Sequence, residues 1–251
     1  MIQVTIDGIK LQVEEKSTVL DAAQKAGIWI PTLCHHDALS TYGACRSCLV
    51  EVVYDDGWRR LVTACNFPIE APISVETANE KVTKHRTMVM ELLLARCPNS
   101  PAVKEVAARV GVTEPRFAKE DDYCILCGLC TRVCEEAIGR SAISFTSRGI
   151  DEEVDTPFLA QSDACIGCGA CAFVCPTGII YVEDQGMTRR IKKWHAEFEM
   201  VPCTECGKPV TTRQHLDYLK KKISLPAYIW ELCPDCKKKF YAQRAVLVGH
   251  M

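Results

Sequence analysis

Seventeen cysteines in 251 residues constrain this chain more than any other feature of its sequence. Two uses account for so many: disulfides in an oxidising compartment, or thiolate ligands of metals. No basic segment followed by an apolar run stands at the N-terminus, so no signal peptide is expected. No apolar stretch approaches the roughly 18 residues of a membrane span. We therefore expect metal ligation in the cytoplasm, where thiols stay reduced.

The spacing of the cysteines separates sixteen of them into four groups and leaves Cys97, which we expect to be a packed thiol. The groups are Cys34, Cys45, Cys48 and Cys65; Cys124, Cys127, Cys130 and Cys134; Cys165, Cys168, Cys171 and Cys175; and Cys203, Cys206, Cys233 and Cys236. Each group has enough thiols to complete one metal site.

The second and third groups repeat the spacing Cys-x2-Cys-x2-Cys-x3-Cys, which is typical of proteins with two [4Fe–4S] clusters. In such proteins the fourth cysteine of each run ligates the cluster of the other run. One predicted cluster therefore takes Cys124, Cys127, Cys130 and Cys175. The other takes Cys165, Cys168, Cys171 and Cys134.

The first group is spaced Cys-x10-Cys-x2-Cys-x16-Cys, and its loop contains the small residues Gly43 and Ala44. A [2Fe–2S] core needs two thiolates on each iron and close backbone around its sulfides. We predict such a cluster on Cys34, Cys45, Cys48 and Cys65. A zinc site is the alternative, and the ten-residue loop and strand-rich surroundings disfavour it.

The fourth group consists of two Cys-x2-Cys pairs, and 26 residues separate Cys206 from Cys233. This pattern predicts a zinc ribbon in which Cys203, Cys206, Cys233 and Cys236 hold one structural zinc ion. A rubredoxin-like mononuclear iron is the less favoured alternative, since it needs the same four ligands.

The segments around the cysteines predict an α+β chain of four parts. Residues 1–77 contain an Asp-Gly turn, a short helix capped at Ser17 or Thr18, and further strands, which suggests a β-grasp [2Fe–2S] domain. Residues 78–121 predict a helical connector that begins with a capping box from Thr77 to Glu80. Residues 122–183 form a two-[4Fe–4S] ferredoxin domain, and residues 184–251 a basic zinc-ribbon-like module.

Three segments carry a resemblance to known iron–sulfur proteins: Ile30-Pro31-Thr32-Leu33-Cys34, Gly43-Ala44-Cys45-Arg46-Ser47-Cys48, and Thr63-Ala64-Cys65. Residues 1–183 resemble the N-terminal region of the large iron–sulfur subunit of respiratory complex I and of iron-only hydrogenases. They are also similar to the diaphorase iron–sulfur subunit of NAD-linked hydrogenases and of electron-bifurcating NAD(P)–ferredoxin complexes of anaerobes. The terminal cysteine pairs and the missing histidine-plus-three-cysteine site depart from the complex I pattern and favour the bifurcating group.

The resemblance implies an electron-transfer subunit that is not itself catalytic. The sequence has no Gly-x-Gly-x-x-Gly loop, so we expect a flavin-containing NAD(P)H-binding subunit as one partner. A ferredoxin, a hydrogenase or a second flavin subunit is the other expected partner in a hetero-oligomer. A free-standing multi-cluster carrier is the alternative; a succinate dehydrogenase-type subunit and a zinc-ribbon nucleic-acid binder rank lower. The lysine runs at 220–222 and 237–239 are interpreted as a solvated face, with no nucleic-acid partner.

Overall fold

The computed structural model describes residues 1–121 and 124–248, and within these ranges it contains helices and strands in mixed order. The strands are β1 Ile2–Ile6, β2 Ile9–Val13, β3 Leu49–Val53, β4 Arg59–Thr63, β5 Ile73–Glu76, β6 Ser144–Thr146, β7 Glu153–Asp155, β8 Val182–Gln185, β9 Thr188–Ile191, β10 Ala196–Pro202 and β11 Pro209–Thr212. The helices are α1 Val19–Lys25, α2 Glu80–Arg96, α3 Pro101–Arg109, α4 Leu129–Arg132, α5 Ala170–Phe173, α6 Arg213–Lys222, α7 Ala227–Glu231 and α8 Pro234–Val248. None of the helices in these two ranges is long and apolar enough to cross a membrane.

The N-terminal part is a five-stranded sheet in the order β2-β1-β5-β3-β4, with α1 packed on it. The predicted turn at Asp7-Gly8 joins β1 to β2, and both residues have positive φ, as a two-residue hairpin turn requires. Thr18 caps α1 in a capping box with Asp21, which confirms one of the two expected caps. β1 and β5 pair in parallel at the centre of the sheet, and the remaining pairs are antiparallel.

The connector helix α2 begins two residues later than the sequence suggested. Asn79 is its N-cap, and its side chain accepts a hydrogen bond from the backbone N–H of Val82. Thr77 instead donates its hydroxyl and backbone N–H to the Asp7 carboxylate, so the expected capping box is wrong. Asn79 also donates to the buried carboxylate of Glu51, which Lys81 and Arg59 contact as well. This network ties the start of α2 to β3.

The second and third cysteine groups lie on two similar loops, each leading into a single helical turn. Gly128 and Gly169 precede α4 and α5 with φ of 67° and 80°, a left-handed conformation that glycine adopts without strain. The hairpin of β6 and β7 lies between the two loops. The predicted start of the ferredoxin domain, residue 122, lies outside the described residues.

A four-stranded antiparallel sheet follows, in the order β11-β10-β9-β8. The predicted boundary after residue 183 falls within β8. Trp194 and Phe198 of this region are buried in one continuous core with the cysteine loops and with α2 and α3. A separate small core surrounds Cys203 and Cys233 and includes Tyr228 and Phe240 from the last two helices. Residues 249–251 of the predicted terminal module lie outside the described residues.

Candidate iron–sulfur and metal sites

The four cysteines of the first group are buried and their thiols contact one another. The pKa of Cys34 is lowered by the hydrogen bond from the thiol of Cys45, and the pKa of Cys48 by the hydrogen bond from Cys65. The pKa of Cys65 is raised by its hydrogen bond to Cys34. The structure therefore brings together all four predicted [2Fe–2S] ligands, from a loop after α1 and the segments beside β3 and β4.

The loop before Cys45 lies so close to Asn66 that position 43 has no room for a side chain. A Cβ on Gly43 would lie 2.6 Å from the Asn66 side chain, and the residue has a φ of 71°. The backbone N–H of Cys45 lies 3.5 Å from Cys34 Sγ, and the buried hydroxyl of Ser47 lies 3.0 Å from Cys45 Sγ. Close backbone and hydrogen-bond donors beside thiolates are the surroundings that a [2Fe–2S] core needs.

The thiols of the second and third groups are in surroundings that oppose ionisation. Burial raises the pKa of Cys127 and of Cys171 to about 12, and burial also raises that of Cys130. Bare thiols would therefore stay protonated at neutral pH. Because metal ligation requires thiolates, the binding energy of a metal must compensate for this burial.

The two cysteine runs interleave in space. After burial, the pKa of Cys130 is raised by the thiols of Cys127 and Cys124 of its own run, and then by Cys171 and Cys175 of the other. The pKa of Cys165 is raised by burial and then by Cys168 of its own run and Cys134 of the other. Each run therefore has the fourth cysteine of the other run as an electrostatic neighbour.

Hydrogen-bond donors point at the sulfurs of both runs. The backbone N–H of Leu126 lies 3.3 Å from Cys124 Sγ, and that of Ala142 lies 3.3 Å from Cys134 Sγ. The indole N–H of Trp194, a side chain that is 1% exposed, lies 3.3 Å from Cys171 Sγ. Sequence reasoning missed Trp194, because it lies between lysines and a histidine, 23 residues along the chain from Cys171.

The fourth group forms a compact four-thiol site. The sulfurs of Cys203, Cys206, Cys233 and Cys236 all lie within 4.8 Å of one another. Burial alone would raise the pKa of Cys203, but the backbone N–H groups of Cys233 and Cys206 outweigh it and lower that pKa to about 6. Four thiols at this separation fit a tetrahedral metal ion.

Two family models of cluster-binding domains match parts of the chain. The model of a 2Fe-2S iron-sulfur cluster binding domain matches residues 1–80. The model of a 4Fe-4S dicluster domain matches residues 164–212, which include the third cysteine group together with Cys203 and Cys206. The N-terminal 2Fe-2S domain and the presence of a 4Fe-4S dicluster domain, both expected from the sequence, are thereby confirmed.

Relatives come from NAD(P)H-linked oxidoreductases. The chain is 34% identical over 181 residues to the alpha subunit of an NADPH-Fe(3+) oxidoreductase of Geobacter sulfurreducens, which covers 62% of this chain and 21% of the relative. It is 33% identical to one subunit of an NADH-quinone oxidoreductase of Rhizobium meliloti, over 61% of this chain and 21% of the relative. It is 30% identical to the mitochondrial NADH-ubiquinone oxidoreductase 78 kDa subunit of Candida albicans, over 62% of this chain and 25% of the relative.

The similar regions amount to about a quarter or less of these relatives' own length. One solved structure, titled as an NAD+-reducing [NiFe]-hydrogenase in the H2-reduced state, matches with a TM-score of 0.57 and 22% identity. That match covers 88% of this chain and 97% of the other and supports the fold. The resemblance stated from the sequence is confirmed: the chain contains a 2Fe-2S domain and a 4Fe-4S dicluster domain, and it is similar to subunits of NAD(P)H-linked oxidoreductases.

Proposed function

We propose that this chain is an electron-transfer subunit of a multi-subunit oxidoreductase. It relays single electrons between a flavin-containing NAD(P)H-binding subunit and a second redox partner, such as a ferredoxin, a hydrogenase or another flavin subunit. The observation that carries the proposal is that three cysteine groups of cluster type lie in one chain, with the second and third interleaved in a single core. The names of the relatives, all NAD(P)H-linked oxidoreductases, support the nature of the donor.

The donor chemistry and the neighbours of the thiols support the ligand sets that we propose. Cys34, Cys45, Cys48 and Cys65 hold a [2Fe–2S] cluster. One [4Fe–4S] cluster takes Cys124, Cys127, Cys130 and Cys175, and the other takes Cys165, Cys168, Cys171 and Cys134. When bound, such clusters accept and release one electron at a time. The chain's own groups hold them, exclude water from them and donate hydrogen bonds to the ligand sulfurs.

For the fourth site we propose one structural zinc ion on Cys203, Cys206, Cys233 and Cys236. A closed site of four thiolates leaves no open position for chemistry, so its role is to hold the last helices in place. The packing of the partly buried Tyr228 and Phe240 against Cys203 and Cys233 supports that role, because it joins the last two helices to the cysteines.

We propose the four-part division at 1–77, 78–121, 122–183 and 184–251, with a β-grasp first part and a zinc-ribbon-like last part. The sheet order β2-β1-β5-β3-β4 with a helix on one face supports the β-grasp description. We also propose a cytoplasmic location and a hetero-oligomer of the electron-bifurcating type, supported by the abundance of free cysteines and by the departures from the complex I pattern.

The experiment that tests this function is anaerobic affinity purification from the native cell, with co-purifying proteins, flavin and NAD(P)H oxidation measured. We expect a flavin-containing subunit to co-purify, and NAD(P)H to reduce the clusters of this chain only when that subunit is present. A single chain with filled clusters and no partner would contradict the subunit proposal and favour a free-standing carrier. Tightly bound flavin on the isolated chain would contradict the division of labour.

A further inference from the structure

A buried arginine lies between the loop of the first cysteine group and the loop of the second. Arg132, on α4, is 8% exposed. Its Nη2 donates to the carbonyl oxygen of Cys34 at 2.7 Å and to that of Cys127 at 3.4 Å. Its Nη1 donates to the carbonyl of Ser40, and its Nε to that of Gly128 at 3.2 Å. One guanidinium therefore joins two segments that are almost a hundred residues apart in sequence.

A second contact holds the same junction. The carboxylate of Glu136 accepts hydrogen bonds from the backbone N–H of Ser40 at 2.7 Å and from its hydroxyl at 2.5 Å. Both bonds lower the pKa of Glu136, and the bond from the hydroxyl has the larger effect. The ring of Tyr42 stacks on Phe145, with centroids 6.1 Å apart. The loop between Cys34 and Cys45 is thus fixed against the helix turn that follows Cys130.

The thiols of Cys34 and Cys127, which lie at this junction, are electrostatic neighbours. Burial is the main cause of the raised pKa of Cys127, and the thiols of Cys124, Cys175 and Cys34 add to it. Cys34 belongs to the proposed [2Fe–2S] site and Cys127 to the first proposed [4Fe–4S] site. Arg132 therefore spans the place where these two sites approach each other through their ligands.

We propose that Arg132 is a positioning residue that fixes the separation between the [2Fe–2S] site and the adjacent [4Fe–4S] site. The inference rests on the proposed ligand sets. The planar guanidinium reaches several carbonyls at once in a fixed geometry, which the single ammonium of lysine cannot reproduce. Because one-electron exchange between two sites depends on their separation, the clamp sets how fast an electron leaving one site arrives at the other.

The test compares Arg132→Lys with wild type and with Arg140→Lys. Arg140 donates to the carbonyl oxygen of Ala164 at 2.8 Å, inside the region of the two cysteine runs, and so controls for loss of an arginine–carbonyl bond beside a cluster. Both substitutions keep the positive charge, so a change in one alone reports geometry. The readout is pulsed EPR of the fully reduced, reconstituted chain: the relaxation rate of the [2Fe–2S] signal, which a nearby reduced [4Fe–4S] cluster accelerates. Iron content is measured on the same samples.

We expect Arg132→Lys to retain its iron and to lose the acceleration severalfold, with Arg140→Lys like wild type. Retained acceleration in Arg132→Lys would overturn the proposal. If Arg132→Lys does not accumulate with filled clusters, Arg132→Gln carries the test, because a glutamine amide has only two N–H donors for the four carbonyls that Arg132 contacts. Retained acceleration there overturns the proposal as well. A wild-type chain that lacks either the [2Fe–2S] signal or the [4Fe–4S] signal would instead refute the proposed function itself.

Discussion

Replacing Trp194 by phenylalanine removes one hydrogen bond from a proposed cluster ligand while keeping an aromatic ring in the core. The indole N–H lies 3.3 Å from Cys171 Sγ, and the side chain is almost fully buried, so no water replaces the lost donor. A donor aimed at a thiolate stabilises the reduced cluster more than the oxidised one, because reduction adds negative charge. The substitution should therefore lower the reduction potential of the [4Fe–4S] cluster proposed to bind Cys171.

The magnitude follows from the strength of such bonds. A hydrogen bond to a charged group contributes about 1.5–3 kcal/mol, and we take about 1 kcal/mol as the part that differs between the two redox states. Since about 59 mV corresponds to a tenfold change for one electron, the expected shift is about 40 mV to lower potential. A redox titration monitored by EPR measures this shift in potential, and the other proposed [4Fe–4S] cluster serves as internal reference.

Phe198→Leu is the matched control for this prediction, because Phe198 is buried in the same core and donates no hydrogen bond. We expect it to leave the potential in place. An unchanged potential in Trp194→Phe at full iron content would refute the reasoning. An equal shift in the Phe198→Leu control would show that packing, and not the donor, moves the potential.

Three further predictions concern stability and metal content. Gly167→Ala places a Cβ 2.7 Å from the Phe198 ring, beside the proposed ligand Cys168. We expect the loss of one [4Fe–4S] cluster, so that iron falls from about ten to about six per chain. Gly178→Ala is the control and should keep its iron, because Gly178 has a similar φ and open space around it. Glu51→Gln should lower the free energy of unfolding in urea at pH 7 by about 1 kcal/mol, a modest loss because Arg59 and Lys81, which contact Glu51, are half exposed. Lys81 is the main cause of the lowered pKa of Glu51, so the stability difference between variant and wild type should shrink only as pH falls below 4.5. Cys233→Ser should remove zinc and leave iron at about ten by metal analysis; unchanged zinc would contradict the site.

The cysteine groups could be predicted from the sequence because most ligands of a site lie within a few residues of one another. A spacing such as that from Cys124 to Cys134 has few other uses, so composition and spacing together limited the chemistry. The Asp7-Gly8 hairpin was predictable for a similar reason, since its turn has a local conformational requirement.

Contacts between distant segments could not be predicted in this way. Trp194 reaches Cys171 only because the four-stranded sheet packs on the third cysteine group. Arg132 finds two of its four acceptors, Cys34 and Ser40, on a loop more than 90 residues earlier in the sequence. In each case the residue type is ordinary, and the tertiary fold alone gives it a partner.

Two local features were also hidden from the sequence. β4 is an edge strand that starts with exposed Arg59 and Arg60, so it shows little of the apolar alternation of a half-buried strand. The start of α2 was misplaced because Thr77 and Asn79 both have cap-forming side chains. The Asp7 carboxylate engages Thr77 and leaves Asn79 to cap the helix.

The central claim, that one chain holds three clusters which relay single electrons, is tested most directly by counting them. The measurement is iron and acid-labile sulfide analysis of the anaerobically reconstituted chain, together with Mössbauer and EPR quantitation of cluster types. We predict about ten irons, divided between one [2Fe–2S] and two [4Fe–4S] clusters that each accept one electron. A colourless chain, or one in which the second and third cysteine groups bind zinc in place of iron, would contradict this prediction.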